Sequence, residues 1–225
     1  MAGYDKPDFW ALKARKEGYP ARSVYKLEEI AAKFGLLKKG SPGAAGSSQA
    51  ASVPAGAAPD AAPTPAPGPN ILDIGAAPGS WSLWLLRALA GRGRLTAVDI
   101  QDLGISPNAV NFAFIKGSIF DEAVRAKLRE SGPYTLVVSD AAPSTTGNRL
   151  VDQARSEDLV EAVMGLGLEV LAPGGSLVMK IFQGGEEKRL ITELKKRFNQ
   201  ARGFKPEACR AESFETYLVA TGFKR

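Results

Sequence analysis

Three ionisable residues interrupt apolar strand patterns in this 225-residue chain, and their types restrict the chemistry open to it. Asp140 closes the run YTLVVSD and leads into AAPSTTGN, so its carboxylate belongs at a strand end facing a crevice. Lys180 stands inside SLVMKIFQGG, where a lysine is costly unless it reaches solvent or a partner at the strand end. Glu215 takes a comparable place at the start of ETYLVATG. Taken singly, each also fits a surface or structural role. The sequence contains no histidine and one cysteine, Cys209. Imidazole acid–base chemistry and an intramolecular disulfide are therefore excluded, and almost no ligands remain for a structural zinc. Any proton transfer falls to Lys, Asp, Glu, Tyr or the lone thiol.

A second constellation lies at Asn70–Trp81, NILDIGAAPGSW, a buried-strand pattern running into a glycine-bearing turn and a helix. Gly75 and Gly79 allow the backbone to approach a ligand closely at the strand's carboxyl end, the usual crevice of open α/β sheets. The spacing is not the G-x-G-x-x-G of a dinucleotide site, and Pro78 removes one amide donor. A pyrophosphate cradle is a poor fit. A nucleoside cofactor without phosphates, such as S-adenosylmethionine, fits better. Leu95–Val98 reads as the next buried strand, and Asp99 at its end is placed to accept hydrogen bonds from ribose hydroxyls. Asp73 and Asp99 together suit a cationic sulfonium.

The elements that must hold these residues alternate along the chain. Strands are predicted near 71–74, 95–99, 112–115, 134–140 and 175–181, with helices near 80–90, 121–131 and 154–171 between them. That alternation specifies an α/β fold, a mostly parallel sheet covered by helices on both faces. A helix near 186–199 and strands near 204–209 and 214–221 complete it. At the N-terminal end Val24, Leu27, Ile30, Ala31 and Phe34 repeat at helical spacing, predicting an amphipathic helix over 22–34 with Lys26 at the edge of its apolar stripe. Residues Ser41–Pro69 are low-complexity: 25 of the 29 are Ala, Pro, Gly or Ser, too few apolar side chains to offset backbone entropy. We expect a flexible insert there, flanked by an N-terminal helical segment over 1–40 and a core over 70–225, one domain overall.

Composition adds a partner. The net charge is +5, concentrated at the ends: nine Lys/Arg against five Asp/Glu in residues 1–40, ten against six in 186–225. Two basic ends on one face would form a rim able to hold phosphates, with Arg15, Arg22, Arg149 and Arg210 as candidate contacts, although solvated helix faces explain the same charges. Tyr19 and Tyr25 read as core or edge packing rather than base-stacking. No apolar run approaches a membrane span and the first residues lack a signal peptide's apolar core, so a cytoplasmic protein is expected.

Five motifs, RSVYKLEEI, LDIGAAPGSWS, VVSDAAP, LAPGGSLVMKIFQG and ETYLVATG, stand in the order and approximate spacing of the FtsJ-type ribose 2′-O-methyltransferases. The chain resembles most closely the bacterial members acting on a uridine of large-subunit (23S) rRNA, over nearly everything except the insert. The resemblance implies a Rossmann-like methyltransferase fold with an antiparallel last strand. It also implies S-adenosyl-L-methionine as cofactor without a metal, and a monomer whose partner is RNA in the 50S ribosomal particle, with no DNA and no membrane. It places the family's Lys-Asp-Lys-Glu set on Lys26, Asp140, Lys180 and Glu215, and its cofactor positions on Gly79, Trp81, Asp99 and Asp140, to which the turn adds Gly75 and the position after the third strand Ser118. Ser118 is a departure: the family commonly carries an acid after that glycine, where this chain reads GSIFD, with Asp121 nearby. The insert is another.

Methyl transfer from a sulfonium needs the acceptor oxygen held in line, and orientation alone is worth about 7–11 kcal/mol. Lys180, as the neutral amine, is the candidate general base for the ribose hydroxyl, Asp140 its orienting partner. Lys26 steadies the alkoxide or a phosphate, and Glu215 orients a lysine or the ribose. Amino-methyltransferases need an N-P-P-Y-like motif that SDAAP lacks, and a pyrimidine C5 enzyme needs a nucleophilic cysteine in a loop far from Cys209. The alternatives left open are ribose methylation of tRNA or an mRNA cap, and a non-catalytic RNA-binding ribosome-assembly factor on the same fold.

Overall fold

The computed structural model describes residues 8–37, 65–143, 149–182, 186–210 and 213–225, with 149–154 as backbone only. Most of the expected insert, 41–64, lies outside the described residues. The elements run in the order α1 (Phe9–Lys16), α2 (Val24–Phe34), β1 (Ala66–Ile74), α3 (Ser80–Leu89), β2 (Arg92–Asp99), β3 (Phe112–Lys116), α4 (Glu122–Ser131), β4 (Tyr134–Ser139), α5 (Arg149–Val170), β5 (Leu171–Phe182), α6 (Glu187–Arg197), β6 (Phe198–Phe204) and β7 (Glu215–Phe223). Seven strands form one sheet in the order β3-β2-β1-β4-β5-β7-β6. The pairs from β3 to β5 are parallel, and β7 runs antiparallel to both β5 and β6. The strand order reverses between β1 and β4, the switch point at which open α/β sheets bind ligands.

Each face of the sheet is closed by its own helices because alternate strand residues point to opposite sides. Leu72, Ile74, Val137, Leu177 and Met179 pack with Leu128 of α4, Leu166 of α5 and Leu194 of α6. Ile71, Leu95, Leu136, Val138 and Val178 pack with Leu27 and Ile30 of α2 and with Trp81, Leu85 and Leu89 of α3. Outside α2 lies α1, a helix the sequence reading did not foresee, capped by Asp8, whose carboxylate accepts from the Ala11 amide at 2.8 Å. Ala14 and Trp10 of α1 pack with Tyr25 and Tyr19, so both tyrosines serve packing. No described helix is long and apolar enough to cross a membrane.

Two expectations are corrected. The penultimate strand is Phe198–Phe204, not 204–209. Phe198 is buried against Phe223 with ring centroids 5.2 Å apart, which recruits it to the sheet and ends α6 early. Residues beyond Phe204 turn instead: the Cys209 amide donates to the Pro206 carbonyl, and the Glu29 carboxylate accepts from the amides of Glu207 and Ala208 at 2.7 and 2.9 Å. Secondly, 66–69 belong by composition to the insert, yet they extend β1, with Ala66 paired to Arg92 beyond a register shift. Backbone pairing to β2 recruits this segment, although its first residues bury little side chain.

Candidate active site

Built outward from the switch point, a cavity of about 750 Å³ opens at the carboxyl ends of β1 to β4, within the ~300–1,000 Å³ usual for small-molecule sites. Gly75 and Ala77 line it from the turn after β1, Asp99 and Ile100 from the end of β2, Ser118 and Phe120 from the loop after β3, and Asp140 to Pro143 from the loop after β4. The outer wall is α5, through Arg155, Asp158, Leu159 and Glu161. Four of these lining residues are acidic, Asp99, Asp140, Asp158 and Glu161, and Arg155 is the lone cation among them. Such a lining repels a diphosphate and suits a cationic ligand bearing hydroxyls.

The turn is built by close packing. Gly75 has φ +74°, and a Cβ there would stand 2.6 Å from Ala141, so only glycine lets β1 and the loop after β4 meet beside the cavity. At Gly79 φ is +110°, and a Cβ would meet Ile105 at 2.5 Å. Gly79 thus accommodates Ile105 and starts α3, but it does not line the cavity. Neither does Trp81. Its ring is buried against Tyr217, 5.8 Å between centroids, and its indole N–H donates to the Ser23 carbonyl at 2.8 Å, tying α3 to the start of α2.

The two aspartates expected to face the ligand together are separated. Asp99 reaches the cavity, and its two carboxylate oxygens accept from the amides of Ala77 and Gln101 at 2.9 and 2.8 Å, which fix it and leave lone pairs over. Asp73 is fully buried on the α3 side, where the Ser82 hydroxyl donates to it at 2.7 Å and its other oxygen has no partner among the described residues. Burial pushes the Asp73 carboxyl up to about 7, the Ser82 bond opposing and the charges of Asp140 and Asp99 adding to the rise. Ser118 lines the cavity, its hydroxyl accepting from the Phe120 amide at 3.2 Å. Asp121, considered as its substitute, instead caps α4 through the Ala123 amide at 2.9 Å.

Beyond Asp140 the site changes character. The register Ser139↔Met179 sets Asp140 beside Lys180, and Lys180↔Tyr217 sets the lysine beside β7. Lys180 Nζ lies 3.2 Å from Asp140 Oδ1 and also donates to the Asp140 carbonyl oxygen. Tyr217 OH donates to the same Oδ1 at 2.7 Å. Lys26, carried in by the first turn of α2, meets Glu215 Oε2 at 2.6 Å, and its Nζ stands 6.0 Å from the centre of the Tyr217 ring. Lys26, Asp140, Lys180 and Glu215, spread over 189 positions of sequence, are thus brought into one cluster. Burial works to raise the Glu215 carboxyl, but the hydrogen bond and charge of Lys26 and the charge of Lys180 outweigh it and hold the group below its ordinary range. Burial and the neighbouring Asp140 raise the Tyr217 phenol well above its usual value, so this hydroxyl is a fixed donor. Tyr217 was missed in the sequence, although its position two residues after Glu215 puts both on one face of the strand.

Of the candidate phosphate contacts, Arg22 donates to the Ala208 carbonyl and pairs with Asp8. Arg15 and Arg210 are exposed, and the side chain of Arg149 lies outside the described residues. Among the described residues no group of three or more His, Cys, Asp or Glu is placed to hold a metal.

A mostly parallel sheet with this switch-point cavity and antiparallel final strand defines a Rossmann-like methyltransferase. The chain belongs to the FtsJ-like methyltransferase family, whose match spans residues 19–223. It is similar to the ribosomal RNA large subunit methyltransferase E of Treponema denticola, 45% identical over 221 residues that cover 98% of this chain and 97% of that one. The protein of the same description from Borreliella afzelii is 42% identical over 216 residues, covering 96% and 98%, and that from Oleidesulfovibrio alaskensis 37% identical over 221, covering 96% and 92%. Among solved structures, a ribosomal RNA methyltransferase from Plasmodium falciparum superposes with a TM-score of 0.68 at 26% identity, over 91% of this chain and 98% of that one.

Proposed function

We propose that this methyltransferase moves the methyl group of S-adenosyl-L-methionine to a ribose 2′-hydroxyl of large-subunit ribosomal RNA, a uridine in 23S rRNA, with Lys180 as general base. The observation that carries the reading is the double engagement of Asp140, which lines the nucleoside-sized cavity and also holds Lys180 at 3.2 Å. Donor and acceptor can meet only where those two regions share a wall. The acid-rich lining fits the cofactor: Asp99 is placed for ribose hydroxyls, and the surrounding carboxylates offset a sulfonium and an ammonium. When bound, the cofactor supplies an electrophilic methyl on a good leaving group.

The chain's own residues do the rest. Asp140, itself held by the Tyr217 hydroxyl, fixes the Lys180 amine, which accepts the 2′-hydroxyl proton once it is neutral. General-base assistance of this kind contributes typically ~10²–10⁴-fold. Lys26, held by Glu215, presents a cation beside the developing alkoxide or a neighbouring phosphate. The names of the curated relatives, rRNA large subunit methyltransferases, support large-subunit rRNA as the acceptor. A monomer acting in the cytoplasm on the 50S particle completes the reading.

The test is transfer of labelled methyl to ribosomal subunits lacking the modification, compared with naked rRNA and tRNA, followed by nucleoside mapping. A 2′-O-methylated uridine in large-subunit rRNA, lost with Lys180→Ala, is expected. Methyl on a base, or transfer only to tRNA, overturns the assignment.

A further inference from the structure

Large apolar side chains left in water need a reason when they bracket a reactive cluster. Of the exposed large hydrophobics among the described residues, Ile100 and Phe120 line the cavity, whereas Phe182 and Phe214 do not. Phe182, 42% exposed, is the last residue of β5; it lies two positions beyond Lys180, on the same face of the strand, and pairs with Glu215. Phe214, 70% exposed, immediately precedes Glu215. Phe182 thus lies across the strand pair from the residue that holds Lys26, and Phe214 lies next to that residue in the chain.

The charge beside Phe214 is positive, whereas Phe182 borders a small pocket lined by Glu157, Glu161, Glu186 and Glu187 with Arg189 as its cation. Lys205 is exposed and donates to the carbonyl of Ser213, the residue before Phe214, at 2.7 Å. Arg22 and Arg210 are close enough for their like charges to act on each other, with Arg22 itself paired to Asp8 and Arg210 exposed. Cations interleaved with exposed aromatic rings match single-stranded nucleic acid, whose phosphates meet the cations while its bases stack on the rings. A duplex does not match, because its base faces are already stacked.

On the strength of the proposed function, we propose that Phe182 and Phe214 are stacking platforms for the RNA acceptor. Phe182 takes the base of the nucleotide whose 2′-hydroxyl reaches Lys180, and Phe214 takes a neighbouring base. The substrate is thereby specified as RNA whose target nucleotide is unpaired or turned out of its helix.

Two measurements test this. Phe214→Trp places a fluorophore on the platform; unpaired oligouridine should quench the fluorescence added relative to the parent, and a duplex containing the same strand should not. Phe182→Ala and Phe214→Ala, checked by thermal melting, should each raise the KM for the RNA acceptor by about 5- to 150-fold. Cofactor affinity should stay unchanged, and the tyrosine variants should restore the KM where leucine variants do not. Equal quenching by duplex and unpaired RNA, or alanine variants with acceptor KM within twofold of the parent, would overturn the proposal while leaving ribose methylation intact. Failure of the parent to produce any 2′-O-methylated nucleoside would instead remove the reading on which it rests. The tryptophan titration needs no turnover, so the two failures are distinguishable.

Discussion

The carboxyl edge of the sheet holds two neighbouring regions of opposite design. Around the cavity, at the ends of β1 to β4, acids prevail: Asp99, Asp140, Asp158 and Glu161 face a single arginine among the lining residues. Across Asp140, where α2, β5 and β7 converge, two lysines are each held by a carboxylate, Lys180 by Asp140 and Lys26 by Glu215. The lining of the first region suits a cation, and the second sets two lysine side chains each beside its carboxylate partner. One aspartate borders both regions, and in the proposed function that shared wall is where donor and acceptor would meet.

The largest effect is expected on the lysine side. Lys180→Ala should reduce single-turnover methyl transfer by at least ~10²–10⁴-fold while cofactor affinity, measured by titration calorimetry, stays within a few-fold. If the single-turnover rate stays near normal, Lys180 is not the base. At the shared wall, Asp140→Ala should lower both transfer and cofactor affinity, a double effect that no variant confined to one region would show; loss of only one of them would detach Asp140 from the other. On the cavity side, Asp99→Ala should weaken cofactor binding roughly 10- to 100-fold, the range for losing hydrogen bonds to a charged group, with transfer at saturating cofactor largely retained.

Two buried or half-buried carboxylates sharpen the contrast through stability. Asp73 sits at about 7 in the folded protein against 3.8 ordinarily, so the native state holds its proton more tightly than the unfolded chain. Its contribution is complete below pH ~4 and is lost as pH rises to about 7, an amount of a few kcal/mol, on the order of the shift converted at 1.36 kcal/mol per unit. Melts of Asp73→Asn should lack that decline. Glu215 runs the other way with a smaller effect. Held below its ordinary 4.5 by Lys26, it stabilises the fold above that value and loses its contribution as pH falls through its lowered titration. Glu215→Gln should flatten the acid limb of the stability curve, and an unchanged acid limb would mean that the Lys26 pair contributes nothing.

Local pattern made much of this legible. The five parallel strands and the glycine turn follow from apolar runs and from a backbone shape that few residues other than glycine adopt. Lys180, Asp140 and Glu215 announced themselves as charges misplaced in strands. The elements misjudged were those decided by distant contacts. Phe198 reads as the end of a helix until Phe223 is placed opposite it, and α1 is short, with Phe9 and Leu12 left exposed, so its apolar residues mark no buried stripe before Tyr25 offers Trp10 a surface. Asp73 and Asp99 look equivalent as strand acids, yet one points beneath α3 and the other into the cavity.

Composition and periodicities of a few residues suffice for the alternating α/β pattern, the absence of imidazole chemistry and the residue types left to move a proton. Long-range packing is needed for Lys26 to meet Glu215, for Asp140 to be shared by Lys180 and Tyr217, and for Gly79 and Trp81 to lie outside the cavity lining. Those partnerships depend on strand order and register, which bring together residues far apart in the chain and which no local pattern encodes.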